Sequence, residues 1–330
     1  MSLYPDNVNR ANRVQRLASD IIHDQTRLKE DVENARAEDE RSIKVLNEIA
    51  TNAGYKTLDE YIADAESKLT PEEKAAIDKM KTDMEKLDED MAISHKVFRG
   101  LIALGLLTKG VRIFATALQE TQSILFGLQA VVRAIWHAIL GSVETAAKLL
   151  TFGRVVLNLT GKTAGITANA TRGMKLMKIG GNVLVGVGVI VDAALLIAEA
   201  IQGAQQRADL QKDIKELCAK RFVVRQIQQT GRVILNFKSD AKSIINMKKK
   251  YDEWVAKGRM TIEEVAEEMQ PEMDKASNDM KAQINKNTTD VIWKSLKDQD
   301  NLGGTWTEED ADLPWVEKWI EEHPTEEKKG

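Results

Sequence analysis

The stretch VQRLASDIIHDQTRLKEDVENARAEDERSIKVLNEI, residues 14–49, decides the fold class. Apolar residues recur along it at helical spacing, interrupted by Asp24 and Asp39, and the positions between them are mostly charged. These apolar residues are Val14, Leu17, Ile21, Leu28, Val32, Ala35, Leu46 and Ile49. A stripe of this length predicts one long amphipathic helix, whose apolar face needs partner helices to cover it.

A second helix start follows at Thr70, where a capping threonine, Pro71 and the Glu73 carboxylate stand at the spacing of a capping box. The apolar residues after it are spaced alternately three and four apart, which is the heptad seam of a coiled coil. They are Ile77, Met80, Met84, Leu87 and Met91. We expect this helix to continue into Phe98.

The part of the chain after residue 202 also predicts long helices. Residues 203–257 contain no clear break except a weak point at Gly231, so they predict a single helix of about 80 Å at 1.5 Å per residue. Thr261 with Glu264, and then Pro271, predict two further helix starts. With five prolines and only 5% aromatic residues, the composition favours an all-α fold over a β-sandwich or barrel.

Charge divides the chain into parts. Residues 97–201 contain ten basic and four acidic residues, whereas the flanks are densely charged and carry a net charge of −10. We therefore expect a long-helix tail formed by residues 1–96 and 202–300, and an apolar, membrane-active head formed by residues 97–201. Residues 301–330 form an acidic tail that contains tryptophans.

Charged residues interrupt the apolar segments of the head too often for a resident membrane protein. Its strongest apolar run, residues 179–191, stops at Asp192, short of the 20 or so residues of a spanning helix. Insertion that depends on a trigger stays open, because paired segments can hide Arg133, Asp192 and Glu199 on an inner face. The alternative is a soluble helical scaffold or interaction protein, in which residues 97–201 are an ordinary core.

This arrangement resembles the α-helical pore-forming toxins of the cytolysin A type. The matching elements are the helix from Pro71 to Phe98, the head from Leu101 to Ile201, and a return helix from Gln202 to Trp254. The resemblance covers most of the chain and is architectural. It implies an elongated all-α bundle with an apolar head inserted between long helices, and a soluble protein that binds a lipid membrane, opens its head and assembles into a homo-oligomeric pore. A second toxin component is a further expected partner.

One departure from that family concerns its N-terminal helix, which lines the pore in some members. Here residues 10–50 are dense in charge, so we expect this helix to stay in water, or at most to line a wet lumen, and the head to insert. The apolar side chains expected to enter the bilayer are Leu101, Ile102, Leu104, Leu106, Leu107, Ile124, Leu125, Phe126, Leu128, Val183, Leu184, Val187, Val189, Ile190, Val191 and Leu195. The cations expected to contact lipid headgroups are Lys109, Arg112, Arg133, Lys175 and Lys178.

Residue patterns for catalysis are not evident. The four histidines have no metal-ligand spacing, and Gly161-Lys162-Thr163 lacks the first glycine of a P-loop. We find no nucleophile with a base, and we expect no enzyme, cofactor, metal site or nucleic-acid partner. The lone Cys218 lies on an apolar helical stripe, so we expect it to be buried. The first residues lack the apolar segment of a signal peptide, which predicts a cytosolic protein or one released by a non-classical route.

Overall fold

The computed structural model describes residues 6–107, 112–139, 142–159 and 204–322. These residues form ten α-helices, and none of them lies in a β-strand. The helices are α1 (Asn7–Asn52), α2 (Leu58–Glu66), α3 (Pro71–Glu85), α4 (Glu89–Leu107), α5 (Arg112–Ile139), α6 (Val143–Leu159), α7 (Ala204–Ala256), α8 (Ile262–Lys286), α9 (Thr289–Leu302) and α10 (Leu313–Glu322). The predicted all-α bundle of long helices is confirmed.

The two longest helices, α1 and α7, pack along each other more extensively than any other pair of described helices. They have 46 and 53 residues, so they measure about 70 and 80 Å at 1.5 Å per residue. Asp20 pairs with Arg221 at 2.8 Å, and Glu48 pairs with Lys249 at 2.6 Å. Because the residue numbers rise together on both helices, α1 and α7 run parallel.

Helix α4 runs in the same direction as α1. Arg36 lies 3.3 Å from Asp90, and Leu46 lies against Gly100 ten residues further along α4. A Cβ atom on Gly100 would stand 2.5 Å from Leu46 Cδ1, so the glycine permits the close approach of the two helices. Helices α4 and α7 therefore both run parallel to α1.

Two of the three predicted helix starts on the flanks are confirmed. Thr70 with Glu73, and Thr261 with Glu264, each form a complete capping box. Pro271 does not start a helix and lies inside α8. A proline removes one backbone hydrogen bond and crowds the preceding turn, but apolar residues on both sides of it are buried in the core and keep the helix continuous.

The predicted single helix over residues 71–98 is wrong, because the chain breaks between α3 and α4. The cause is Asp88, whose Oδ1 accepts hydrogen bonds from the backbone N–H groups of Asp90 at 3.0 Å and Met91 at 3.2 Å. A carboxylate that accepts from the second and third residues after it is an N-cap, so a new helix begins there. The heptad spacing of the apolar residues continues across this break, so the spacing alone does not indicate that a helix ends there.

A single hydrophobic cluster joins the helices. Buried residues of α4 and α5, which lie in the predicted head, share this cluster with buried residues of α1, α7 and α8. Near the chain ends, the Arg13 side chain is fully buried and pairs with Asp300 at 2.9 Å and Asp310 at 2.6 Å. Trp319 on α10 is only 8% exposed and lies in the same cluster, so the C-terminal helix is docked on the bundle.

Candidate functional site

The apolar residues predicted to enter a bilayer lie, where the structure describes them, inside the bundle. Those on α4 and α5 that are at most 3% exposed are Leu101, Ile102, Leu104, Ile124, Leu125, Phe126 and Leu128. Leu106 and Leu107, at the end of α4, are partly buried against the same core. The remaining seven lie outside the described residues: Val183, Leu184, Val187, Val189, Ile190, Val191 and Leu195. Their entry into a membrane stays a prediction.

Of the cations predicted to contact lipid headgroups, only Arg133 has a described side chain. Lys109, Lys175 and Lys178 lie outside the described residues, and Arg112 opens α5 with no description of its side chain. Arg133 is 11% exposed and has carboxylates as partners. Its guanidinium therefore lies inside the bundle in this structure, paired with Asp88 and Asp90, and its contact with lipid headgroups stays a prediction.

Four buried polar side chains from four helices meet at one point, which we name the Asp39 cluster. Asp39 on α1 accepts hydrogen bonds from Ser94 on α4 and from Lys238 on α7, the latter at 2.5 Å. Lys238 also donates to Ser94 Oγ at 2.7 Å, and Gln129 on α5 donates to the same oxygen at 2.8 Å. The cluster thus joins the apolar helices α4 and α5 to the long helices α1 and α7.

A second group of charges, the Asp88 cluster, lies beside the first and joins α4 to α5. The Arg133 guanidinium approaches Asp88 at 2.7 Å and also pairs with Asp90. Asp88 Oδ2 lies 2.9 Å from His137 Nε2, and Arg36 on α1 approaches Asp90 at 3.3 Å. Asp88 thus has two functions, since it caps α4 and also anchors α5.

The two clusters differ in their electrostatics. Burial raises the pKa of the Asp39 carboxyl above its usual value, although the charge and hydrogen bond of Lys238 act in the opposite direction. Burial acts the same way on Asp88, but the hydrogen bonds and charge of Arg133, with His137, outweigh it and hold its pKa below the usual value. The Asp39 carboxylate is therefore poorly stabilised where it lies, whereas the Asp88 carboxylate is well stabilised.

The sequence contained a partial signal for the Asp39 cluster. Asp24 and Asp39 occupy positions of the apolar stripe on α1, where an unpaired carboxylate would be costly. Each has a basic partner on α7, Arg225 at 2.7 Å and Lys238 at 2.5 Å. An acidic residue within one stripe and a basic residue within another indicate a buried pair, but the register that joins them cannot be read from the sequence alone.

A cavity of about 480 Å³ opens at the other end of the bundle, where α1 and α7 finish. Its wall includes Tyr61 and Leu107, together with lysines that already have carboxylate partners. Lys249 pairs with Glu48 at 2.6 Å, and Lys248 pairs with Asp252. The charges of this cavity are used within the protein, so the cavity does not define a ligand.

Three observations concern metal binding, the single cysteine and membrane-spanning helices. No group of three or more potential metal ligands occurs among the described residues. Cys218 is buried, as predicted, and burial raises the pKa of its thiol to about 11. Within the described ranges, no helix is both long enough and apolar enough to cross a bilayer.

No family model, curated protein or solved structure matches this chain.

Proposed function

We propose that this protein permeabilises lipid membranes, and that the bundle described here is its closed form. The observation that carries the proposal is the junction between the apolar helices α4 and α5 and the long helices α1 and α7. The apolar faces of α4 and α5 are buried in the bundle, yet polar clusters with defined partners join them to their neighbours. In the proposed open form these apolar faces contact lipid, and copies of the chain assemble into a pore.

Physical chemistry supports such a change. Apolar burial is non-directional, so contacts with lipid chains can replace contacts with α1 and α7 at little net cost. Buried ion pairs contribute little net stability compared with apolar residues of similar size, but they favour one arrangement over others. A junction that combines apolar contacts with buried ion pairs gives the closed form one defined arrangement. The same junction allows α4 and α5 to separate from the long helices. The apolar run of residues 179–191 follows in the same segment of the chain.

A second candidate is a helical scaffold or interaction protein. The observation that favours it is the continuity of the core, since α4 and α5 contribute to the same hydrophobic cluster as α1, α7 and α8. In that case α4 and α5 never leave the bundle. The two candidates therefore differ in one measurable property, the separation of α5 from the tail helices.

Thr121 on α5 and Ser277 on α8 provide the test. Both are buried, and their Oγ atoms lie 2.8 Å apart. Ser277→Cys is nearly isosteric and Thr121→Cys removes one methyl group, and a disulfide spans Cβ atoms about 3.5–4.5 Å apart. We expect Thr121→Cys/Ser277→Cys, made in a Cys218→Ala background, to release no dye from anionic phosphatidylserine vesicles when oxidised, and to release it after reduction.

The two single-cysteine variants in the same background are the matched controls, and they should release dye in either redox state. Equal release by the oxidised and reduced double variant, with the cross-link confirmed by mass spectrometry, would show that α5 does not leave α8. If no variant releases dye from anionic or neutral vesicles, the scaffold is the better explanation.

A further inference from the structure

His95 is buried at the junction, and one of its ring nitrogens has no hydrogen-bond partner. It lies on α4 beside Ser94 of the Asp39 cluster, and it is 2% exposed. Its ring stands 5.7 Å from the ring of Phe126 on α5, at an interplanar angle of 61°. The Nε2 atom has no hydrogen-bond partner. An imidazole in this position is stable only in its neutral form, because a buried unpaired charge is very unfavourable.

Two positive charges make protonation of His95 less favourable still. Burial lowers the pKa of His95 from its ordinary 6.5 to about 3, and the positive charges of Arg99 on α4 and Lys81 on α3 act in the same direction. The charged and titratable groups on the helices around α4 are largely engaged with other partners. They are Arg36 and Asp39 on α1, Asp59 and Glu66 on α2, Lys81 on α3, Arg133 and His137 on α5, and Lys238 on α7.

We propose that His95 is an acid-sensitive switch, and that protonation of its imidazole in mild acid releases α4 from the bundle. Once α4 separates, water can solvate the imidazolium, and the Asp39 and Asp88 clusters lose their α4 members. The release of α4 is inferred from the burial of His95 and from its unpartnered Nε2 atom. Its use as the trigger for membrane entry rests on the proposed function.

The direction of the pH effect follows from linkage. The pKa of His95 is lower in the folded form than in the unfolded or open form, so the open form takes up the proton first. The stability due to His95 is complete above about pH 6.5 and is lost as the pH falls from there towards about 3. The raised pKa of Asp39 acts in the opposite direction, since protonation of that carboxyl favours the folded form.

The test compares the wild type with His95→Leu and His95→Phe, which both place an apolar group in the site. The variants keep Asp39, so the difference between each of them and the wild type isolates His95. Between about pH 7 and about pH 5, the folding equilibrium constant of the wild type should fall about 25-fold more than that of the variants, as measured by urea unfolding. His23→Gln removes an exposed histidine of α1 and should behave like the wild type.

Hydrogen exchange locates the effect. At the lower pH, after correction for intrinsic rates, amides of residues 89–107 should exchange faster in the wild type than in His95→Leu. An equal loss of stability in the wild type and in both apolar variants would overturn the switch, as would faster exchange that spares residues 89–107.

Dye release from the same vesicles at both pH values separates the switch from the proposed function. A His95-dependent loss of stability in a protein that releases no dye supports the switch and contradicts the function. Release that is equally strong in the wild type and His95→Leu at both pH values supports the function and contradicts the switch as its trigger.

Discussion

Lys238 and Asp39 are two opposite charges that have lost nearly all contact with water. Lys238 is 5% exposed and Asp39 is 3% exposed, and their side chains meet at 2.5 Å. Removing two charges from water costs several kcal/mol each, and the attraction between them offsets this only when both are present. The pair therefore acts as a unit, and the loss of one partner is far worse than the loss of both.

This leads to a prediction at the residue scale. Lys238→Met should destabilise the fold by about 3–5 kcal/mol, because it leaves the Asp39 carboxylate buried and unpaired. The double variant Asp39→Leu/Lys238→Met should recover most of that loss. Urea unfolding of the wild type, both single variants and the double variant gives the coupling energy directly.

Lys242 is the matched control, since it lies one turn after Lys238 and pairs with Glu38 at 2.5 Å, but its side chain is 26% exposed. Lys242→Met should cost no more than about 1 kcal/mol, as for other pairs in contact with solvent. Equal losses for Lys238→Met and Lys242→Met would mean that the Asp39 cluster is hydrated in solution.

At the scale of helices, the break between α3 and α4 shows how one residue divides a continuous apolar seam. Asp88 caps α4 through two backbone N–H groups and holds Arg133 of α5 through its carboxylate. The cap directs the start of α4, and the ion pair attaches α5 to that start. Both contacts come from the same side chain, so the position of α5 depends on where α4 begins.

Asp88→Ala should therefore lose more than an ordinary cap. The missing cap costs about 1 kcal/mol, and the weakened attachment of Arg133, which keeps Asp90, brings the expected total to about 2–4 kcal/mol. Thermal unfolding followed by circular dichroism measures this loss. Asp83→Ala, at an exposed position of α3, should change the midpoint little. A loss for Asp88→Ala no larger than for Asp83→Ala would show that the cap and the ion pair of Asp88 contribute little to stability in solution.

The helices also show which parts of the fold could be predicted. The continuity of α1 and α7 and the capping boxes at Thr70 and Thr261 depend on local sequence, and these predictions were confirmed. The cap at Asp88 lies within a continuous apolar seam, and the passage of α8 through Pro271 depends on burial against other helices, so the pattern of apolar residues and prolines misassigned both. The parallel register of α1 and α7 depends on pairs about 200 residues apart in the chain, which periodicity does not reveal.

At the scale of the molecule, the two ends of the chain are joined by charge. Arg13 near the start of α1 pairs with Asp300 and Asp310, and Arg221 on α7 pairs with Asp300 at 2.8 Å and Asp20 at 2.8 Å. This group lies near the start of both long helices, away from the Asp39 cluster further along them. The proposed opening of α4 and α5 therefore leaves these contacts in place.

That separation gives the last prediction, for a chain that ends at residue 302. The deletion removes Asp310, which pairs with Arg13, and it removes Val316, Trp319 and Ile320, which are at most 8% exposed. The loss of large buried side chains should lower the unfolding free energy by at least about 3 kcal/mol, and the midpoint of thermal unfolding should fall with it. Dye release, measured below that midpoint, should persist because α4, α5 and both polar clusters are unchanged.

Asp310→Asn in the full chain should give a smaller loss of stability, since Arg13 keeps Asp300. A truncated chain that is as stable as the wild type but releases no dye would instead make the C-terminal segment, with its paired indoles Trp315 and Trp319, the part that contacts the membrane.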